Sequence, residues 1–178
     1  KSRFGLDGLW SLGIYQGPLR TVIQKLKYEP FLVKGFVPVL VDIMLEYWAK
    51  YQPFVFDQIK KDKGQGWVVV SVPLHWFREN RRGFNQSALI GQLLSKKLGL
   101  DYYDGLKRVR HTKPQVKLNY LQRKENIKDA FEATKLYNPR PYVLLIDDVW
   151  TTGSTLKECC YVLKKAGAKK VWALTLAR

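Results

Sequence analysis

A chain of 178 residues, 46% of them hydrophobic, is long enough for one domain with a buried core and too apolar for disorder. No apolar run approaches the roughly 18 residues that span a bilayer, and two adjacent cysteines, Cys159 and Cys160, make neither a disulfide framework nor a four-ligand zinc site, so a soluble, cytosolic protein is expected. The 31 Lys+Arg against 15 Asp+Glu leave a net charge of +16, which points to polyanions such as nucleic acid or to small phosphorylated ligands.

Along the chain, Leu9 to Tyr15 alternates weakly and predicts a strand. Gly17 and Pro18 then break the chain, with Pro18 placed as a first-turn proline, and Leu19, Val22, Ile23 and Leu26 follow at helical spacing. A second helix is expected over Val39 to Tyr51, with Leu40, Val41, Met44, Leu45 and Trp48 on one face. Asp57 to Gly66 is polar, carries two glycines and reads as a loop. Trp67 to Val72 (WVVVSV) is a continuous β-branched run, the pattern of a strand buried on both faces of a parallel sheet. After a basic loop, Leu89, Ile90, Leu93, Leu94 and Leu98 mark a helix that Gly99 ends.

Between Gly105 and Lys128, eight basic residues (Lys107, Arg108, Arg110, Lys113, Lys117, Arg123, Lys124, Lys128) face one acid, Glu125. This stretch has no strong period and reads as a mobile loop whose concentrated charge has a target. Tyr142 to Ile146 is a second buried strand. Leu156, Cys159, Cys160, Leu163 and Ala166 form the apolar face of a helix ended by Gly167, so both cysteines are expected in the core. Val171 to Leu176 is a third strand. This alternation predicts an α/β doubly wound parallel sheet with helices on both faces.

The segment Val143 to Thr155 (VLLIDDVWTTGST) carries the most information. Open parallel sheets bind ligands at the carboxyl ends of their strands. Asp147 and Asp148 stand at such an end, before a small-residue loop that opens a helix. Thr151, Thr152, Ser154 and Thr155 offer hydroxyls, Gly153 permits close backbone approach, and the helix start adds free N–H groups. Together they make a seat for a phosphate monoester, while the two acids suit the hydroxyls of an attached sugar and a hydrated metal ion. An ordinary capped turn explains one Asp before a Thr, but not two acids followed by four hydroxyl residues around a glycine. No Gly-Lys-Ser/Thr follows, so the loop is not a Walker A motif.

This segment resembles the phosphoribosyl-pyrophosphate (PRPP) signature of the type I phosphoribosyltransferases. Ser71 to Ser87 (SVPLHWFRENRRGFNQS) is similar to the motif of one branch, the ComF family of competence-associated phosphoribosyltransferases, which includes GntX-type proteins. Arg108 to Phe131, with Thr112 to Gln115, Arg123 and Asn126, fits the same pattern, as do Tyr15 to Arg20 and Leu26 to Tyr28. The resemblance thus covers nearly all of residues 1–178, as one phosphoribosyltransferase domain with an N-terminal helical or hood part (1–66) and a PRPP-binding core (67–178). Relatives of this kind commonly carry an N-terminal cysteine-rich zinc ribbon. None stands in this chain, which opens at Lys1, and no structural zinc is expected in it.

The resemblance implies Mg²⁺-dependent pentosyl transfer from PRPP with release of pyrophosphate, through an oxocarbenium-like state that needs positioning and charge more than a nucleophile. It implies PRPP, or a nucleoside 5′-monophosphate, at Asp147, Asp148, Val149, Trp150, Thr151, Thr152, Gly153, Ser154 and Thr155, with Asp147 and Asp148 reaching Mg²⁺ through water and PRPP. Pyrophosphate falls to Pro73, Leu74, His75, Arg78, Arg81 and Arg82, although His75 also reads as a satisfied polar group at a strand end. Arg108 and Lys113, with the acids, are the expected catalytic groups in a hood that closes over substrate. Lys107, Arg110, Lys117, Arg123, Lys124 and Lys128 read equally as a nucleic-acid patch, with His111 solvated among them. Trp150 covers the ribose or packs, and the two first helices read as core, acceptor hood or dimer surface. A non-catalytic single-stranded-DNA-binding competence protein or a PRPP sensor is the alternative function, with other competence proteins such as a helicase as partners and no membrane.

Overall fold

The computed structural model describes residues 5–51, 53–62, 64–110, 112, 120–134 and 140–178, with side chains for these except at 30–34, 53–56, 78, 120, 121, 123 and 124. Its elements are β1 (Gly8–Gly13), α1 (Gly17–Tyr28), α2 (Pro30–Tyr51), α3 (Pro53–Lys61), β2 (Trp67–Ser71), α4 (Trp76–Arg82), α5 (Gln86–Leu98), β3 (Asp101–Tyr103), β4 (Leu106–Arg108), α6 (Tyr120–Ile127), β5 (Phe131–Ala133), β6 (Tyr142–Val149), α7 (Ser154–Lys165) and β7 (Lys170–Ala177). Five strands form one parallel sheet in the order β1-β7-β6-β2-β3, and β4 and β5 pair antiparallel outside it. No helix among the described residues is long and apolar enough to cross a membrane.

The sheet is covered on both faces, which explains the unbroken apolar runs of β2 and β6. Trp67, Val69, Leu144, Ile146, Trp172 and Leu174 point to one side, where Ile23 and Leu26 of α1, Val41, Met44 and Trp48 of α2, and Ile90 and Leu94 of α5 close over them. Val68, Val70, Val143, Leu145, Val171 and Ala173 point to the other, against Leu156, Cys159, Cys160 and Leu163 of α7. Ile127 and Phe131 complete that second core. Both cysteines are buried, as their helical spacing predicts. Burial pushes the Cys159 thiol well up, with the Asp147 charge adding to it, and pushes Cys160 up to about 11, so both behave as small apolar groups.

At the sheet edge β1 joins β7, far apart in sequence. The Asp7 carboxylate accepts the Val171 amide at 2.8 Å and pairs with Lys164 Nζ at 2.7 Å, and Ser11 and Thr175 share a hydroxyl hydrogen bond at 2.7 Å.

Four expectations need correction. The second helix begins at Pro30 and runs through Pro38, because Val37, Leu40 and Val41 are buried against the core and outweigh the lost backbone bond. Asp57 to Gly66 is not a loop throughout: α3 extends to Lys61, anchored by buried Ile59. Only then does the chain turn, with Gly64 and Gly66 at φ 72° and 77°, and Asp62 accepts from Gln58 Nε2 and Trp67 Nε1 across that turn. The Lys107 to Lys128 stretch is structured in its described parts, since β4 pairs with β5 and α6 lies between them. Three-residue strands are too short to show a period, so only their buried ends, Leu106 and Phe131, reveal them in space. The basic loop before Leu89 likewise contains α4, and α5 starts three residues before Leu89.

Candidate functional site

From β2 the chain crosses through α4 and α5 to β3; from β6 it crosses through α7 to β7, in the opposite direction along the sheet. β2 and β6 are neighbours, so their carboxyl ends part at a topological switch point, where doubly wound sheets form a ligand crevice. The Val72 amide donates to Ile146 O at 2.9 Å and holds the strands together up to that point.

Asp147 and Asp148 lie on the last residues of β6 itself, where Asp147 is opposite Thr175 of β7. Asp148 turns to the α1 face, where its Oδ2 meets Lys27 Nζ at 2.7 Å. The Asp147 carboxylate accepts from Ser87 Oγ at 3.2 Å and from the Asp148 amide at 2.9 Å. Burial, then the Asp148 charge, pushes its pKa up to about 7 against the pull of these bonds and of Lys27. Burial works to lower the Lys27 pKa, but Asp148 and more distantly Asp147 outweigh it and the ammonium is held charged. No cluster of three or more His, Cys, Asp or Glu that could hold a metal exists among the described residues. Two carboxylates do not fill the shell of an ion by themselves, so this pair fits Mg²⁺ where water and ligand oxygens complete that shell, as Mg²⁺ commonly accepts.

Beyond the acids the chain turns through Trp150 to Gly153 into α7. Gly153 occupies the N-cap position with φ 73° and has no side chain to cap the helix, while the Ser154 amide donates to Thr152 Oγ1 at 3.5 Å. Thr152 Oγ1 and Ser154 Oγ stand 3.0 Å apart, and the Thr151 side chain is exposed. Trp150 lies across this loop. A Cβ added at Gly153 would overlap the indole, and Lys157 Nζ sits 5.8 Å from its ring centroid. The loop therefore offers helix-start amides, hydroxyls and a nearby ammonium, the elements of a phosphate seat.

The facing wall comes from Ser71 to Ser87. Pro73 and Leu74 are half-buried, and buried His75 caps α4 by accepting the Phe77 amide at Nδ1, 3.4 Å away. This bond satisfies one ring nitrogen of His75 at the strand end. Gly83 ends α4 in the left-handed region at φ 78°. Asn85 then brackets the turn: its Nδ2 donates to Val72 O at 3.0 Å while its Oδ1 accepts the Ser87 amide, starting α5 against the end of β2. The Arg82 guanidinium lies over the Tyr28 ring at 5.6 Å, Arg81 is exposed, and the Arg78 side chain lies outside the described ones. Trp76 and Phe77, 64% and 52% exposed, project from the start of the same helix.

The basic stretch is divided. Arg108, half-buried, hydrogen-bonds Thr112 Oγ1 and lies over the Phe131 ring at 5.3 Å. Arg110 donates to the carbonyls of Glu125, Asn126 and Lys128, closing the end of α6. Lys107 pairs with Glu132 across β4 and β5 at 2.9 Å, and Lys128 is exposed. Lys113, Lys117 and His111 lie outside the described residues, as do the side chains of Arg123 and Lys124.

The structure thus gathers Asp147, Asp148 and the loop to Thr155 at one crevice, and adds three residues not singled out from sequence. Ser87 and Asn85 are in the quoted motif, but their partners are 60 and 13 residues away in sequence. Lys27 ends α1, where a lysine ordinarily reads as a solvated complement to the helix dipole. Its signal was its place inside Leu26 to Tyr28, a segment that fits the same family pattern but was given no role.

No family model matches the chain. Among curated proteins, it is 35% identical over 176 residues to Competence protein F of Haemophilus influenzae, an alignment covering 97% of this chain and 73% of that protein. It is 41% identical over 109 residues to DNA utilization protein YhgH of Escherichia coli, covering 60% of this chain and 48% of the relative. Competence protein ComFC of Streptococcus pneumoniae matches at 32% over 128 residues, 72% of this chain and 54% of that one. The chain thus spans about half the length of the latter two.

Proposed function

The chain belongs to the ComF family, and from that premise we propose that it acts in the use of incoming DNA, through a crevice that binds PRPP with Mg²⁺ and transfers the phosphoribosyl group. One observation carries this reading: paired acids and a hydroxyl-lined helix start follow each other at the switch point of a doubly wound sheet. In this reading the loop from Thr151 to Thr155 holds the 5′-phosphate. Asp147 and Asp148 accept from the ribose hydroxyls, and the diphosphate lies toward Arg81 and Arg82. Mg²⁺, when bound with the ligand, supplies positive charge to the diphosphate. The C1–O bond breaks with its electron pair leaving on the diphosphate, and an acceptor nitrogen bonds to C1 and loses its proton. Arg108, on β4, belongs to the part that would close over the crevice and exclude water. The names of the relatives support the DNA-related role, and the net charge of +16 favours a polyanion nearby.

A second reading, single-strand binding with little or no catalysis, is favoured by α4. Exposed Trp76 and Phe77 next to Arg81 and Arg82 offer ring faces and cations to unpaired bases. The deciding experiment is pyrophosphate release from PRPP and Mg²⁺ with a panel of bases, nucleotides and single-stranded DNA. Turnover with one acceptor supports the transferase. PRPP binding without turnover, beside salt-sensitive oligonucleotide binding, supports the second reading, and no PRPP binding refutes the first.

A further inference from the structure

Lys27 sits where a lysine is hard to explain as scaffolding. Its neighbour in the same last turn, Lys25, is exposed in the ordinary way, whereas the Lys27 side chain is 23% exposed and Asp148, its partner at 2.7 Å, is 19% exposed. The end of α1 is held without it: Ile23 and Leu26 are buried in the core, and Gln86 Nε2 donates to Leu26 O at 3.5 Å. A half-buried ion pair adds little net stability once both ions are desolvated. This pair nevertheless occupies one of the two acids at the switch point, and the charge of its ammonium acts on the other, Asp147, as well.

Charge and reach suggest why. Two carboxylates in one crevice repel an anionic ligand, and a lysine beside them removes part of that repulsion. Its flexible four-carbon stem lets the ammonium swing by several ångströms while α1 stays fixed, and its three donors serve a phosphate oxygen as well as a carboxylate.

We propose that Lys27 is an exchangeable cation of this site, which passes from Asp148 to the oxygens of the diphosphate as the ribose hydroxyls engage the acid. This rests on the PRPP reading above and adds to it a binding residue from the N-terminal helix. The exchange links occupancy of the crevice to α1, and so to α2, which packs in the same core. It requires that Lys27 favour ligands carrying a diphosphate and compete with those that lack one.

The test is calorimetry of PRPP and of ribose 5-phosphate, each with Mg²⁺, on the wild type, Lys27→Met and Lys27→Arg. The expected result is a split. Lys27→Met weakens PRPP by tenfold or more, the loss of one charge-assisted hydrogen bond, and leaves ribose 5-phosphate unchanged or a few-fold tighter. Lys27→Arg restores most of the PRPP affinity. Equal loss for both ligands, or no loss for PRPP, overturns the exchange while the phosphoribosyl reading stands. Failure of the wild type to bind either ligand overturns that reading and the exchange with it. Should Lys27→Met not fold, Lys27→Gln removes the charge but keeps a donor toward Asp148, and the same comparison applies.

Discussion

Gly153 is the residue whose replacement separates backbone from packing most cleanly. At φ 73° and ψ 5° it lies in the left-handed region, and a Cβ there would overlap the Trp150 indole. Gly153→Ala therefore carries two costs. The left-handed backbone costs an alanine about 1–2 kcal/mol. Displacing the indole forfeits its contact with Lys157, about 0.5–1 kcal/mol, and about 1 kcal/mol of half-buried packing. The sum, about 3 kcal/mol, corresponds to a fall in Tm of roughly 6–12 °C for a domain of this size. In a Trp150→Ala background only the backbone cost remains, so the same substitution should cost about 1–2 kcal/mol there. Urea denaturation of the four proteins of this cycle measures the difference. An equal penalty with and without the indole would refute the reasoning, because Trp150 would then not be packed on the loop.

Asp147 makes stability depend on pH in a defined direction. Burial and the Asp148 charge raise its folded pKa to about 7, above the unfolded value near 3.9. Its contribution is therefore full below about pH 4 and is lost as pH rises through about 7. Asp147→Asn, which cannot ionise, should gain Tm relative to the wild type between about pH 5 and pH 8, and a pH-independent difference would count against it. Asn85→Ala removes a helix cap and strands the buried Val72 carbonyl, so it should cost about 2–3 kcal/mol by chemical denaturation. Trp76→Ala with Phe77→Ala should leave Tm within about 2 °C, since both rings are exposed. If α4 stacks unpaired bases, the same pair should weaken oligonucleotide binding, read by fluorescence anisotropy, by tenfold or more.

The central sheet was legible because β2, β6 and β7 are covered on both faces and so read as apolar runs that no surface segment would carry. The loop from Asp147 to Thr155 was legible because its chemistry is contiguous in sequence. What escaped was long-range or short. The β4 and β5 strands have three residues each and gain their identity only from pairing with one another. α2 was expected to start after Pro38, since a proline argues locally against a helix that burial of Val37 and Leu40 then enforces. Lys27 was invisible as a site residue because its meaning lies in Asp148, brought to it only when α1 packs beside the carboxyl end of β6.

The pairing of β1 with β7 has a consequence for how the chain is made. Leu9 hydrogen-bonds into a ladder with Ala173, and Asp7 waits for the Val171 amide and for Lys164. During synthesis β1 must therefore remain unpartnered until β7 has left the ribosome, and closure of so long a loop slows its docking. A chain broken off before Lys170 would have a sheet that lacks both β7 and the partner of β1. Such a product would expose the β6 edge and the apolar face of α7 together, a ready substrate for proteolysis or aggregation. The edge strand thus closes this sheet only on a chain translated through β7.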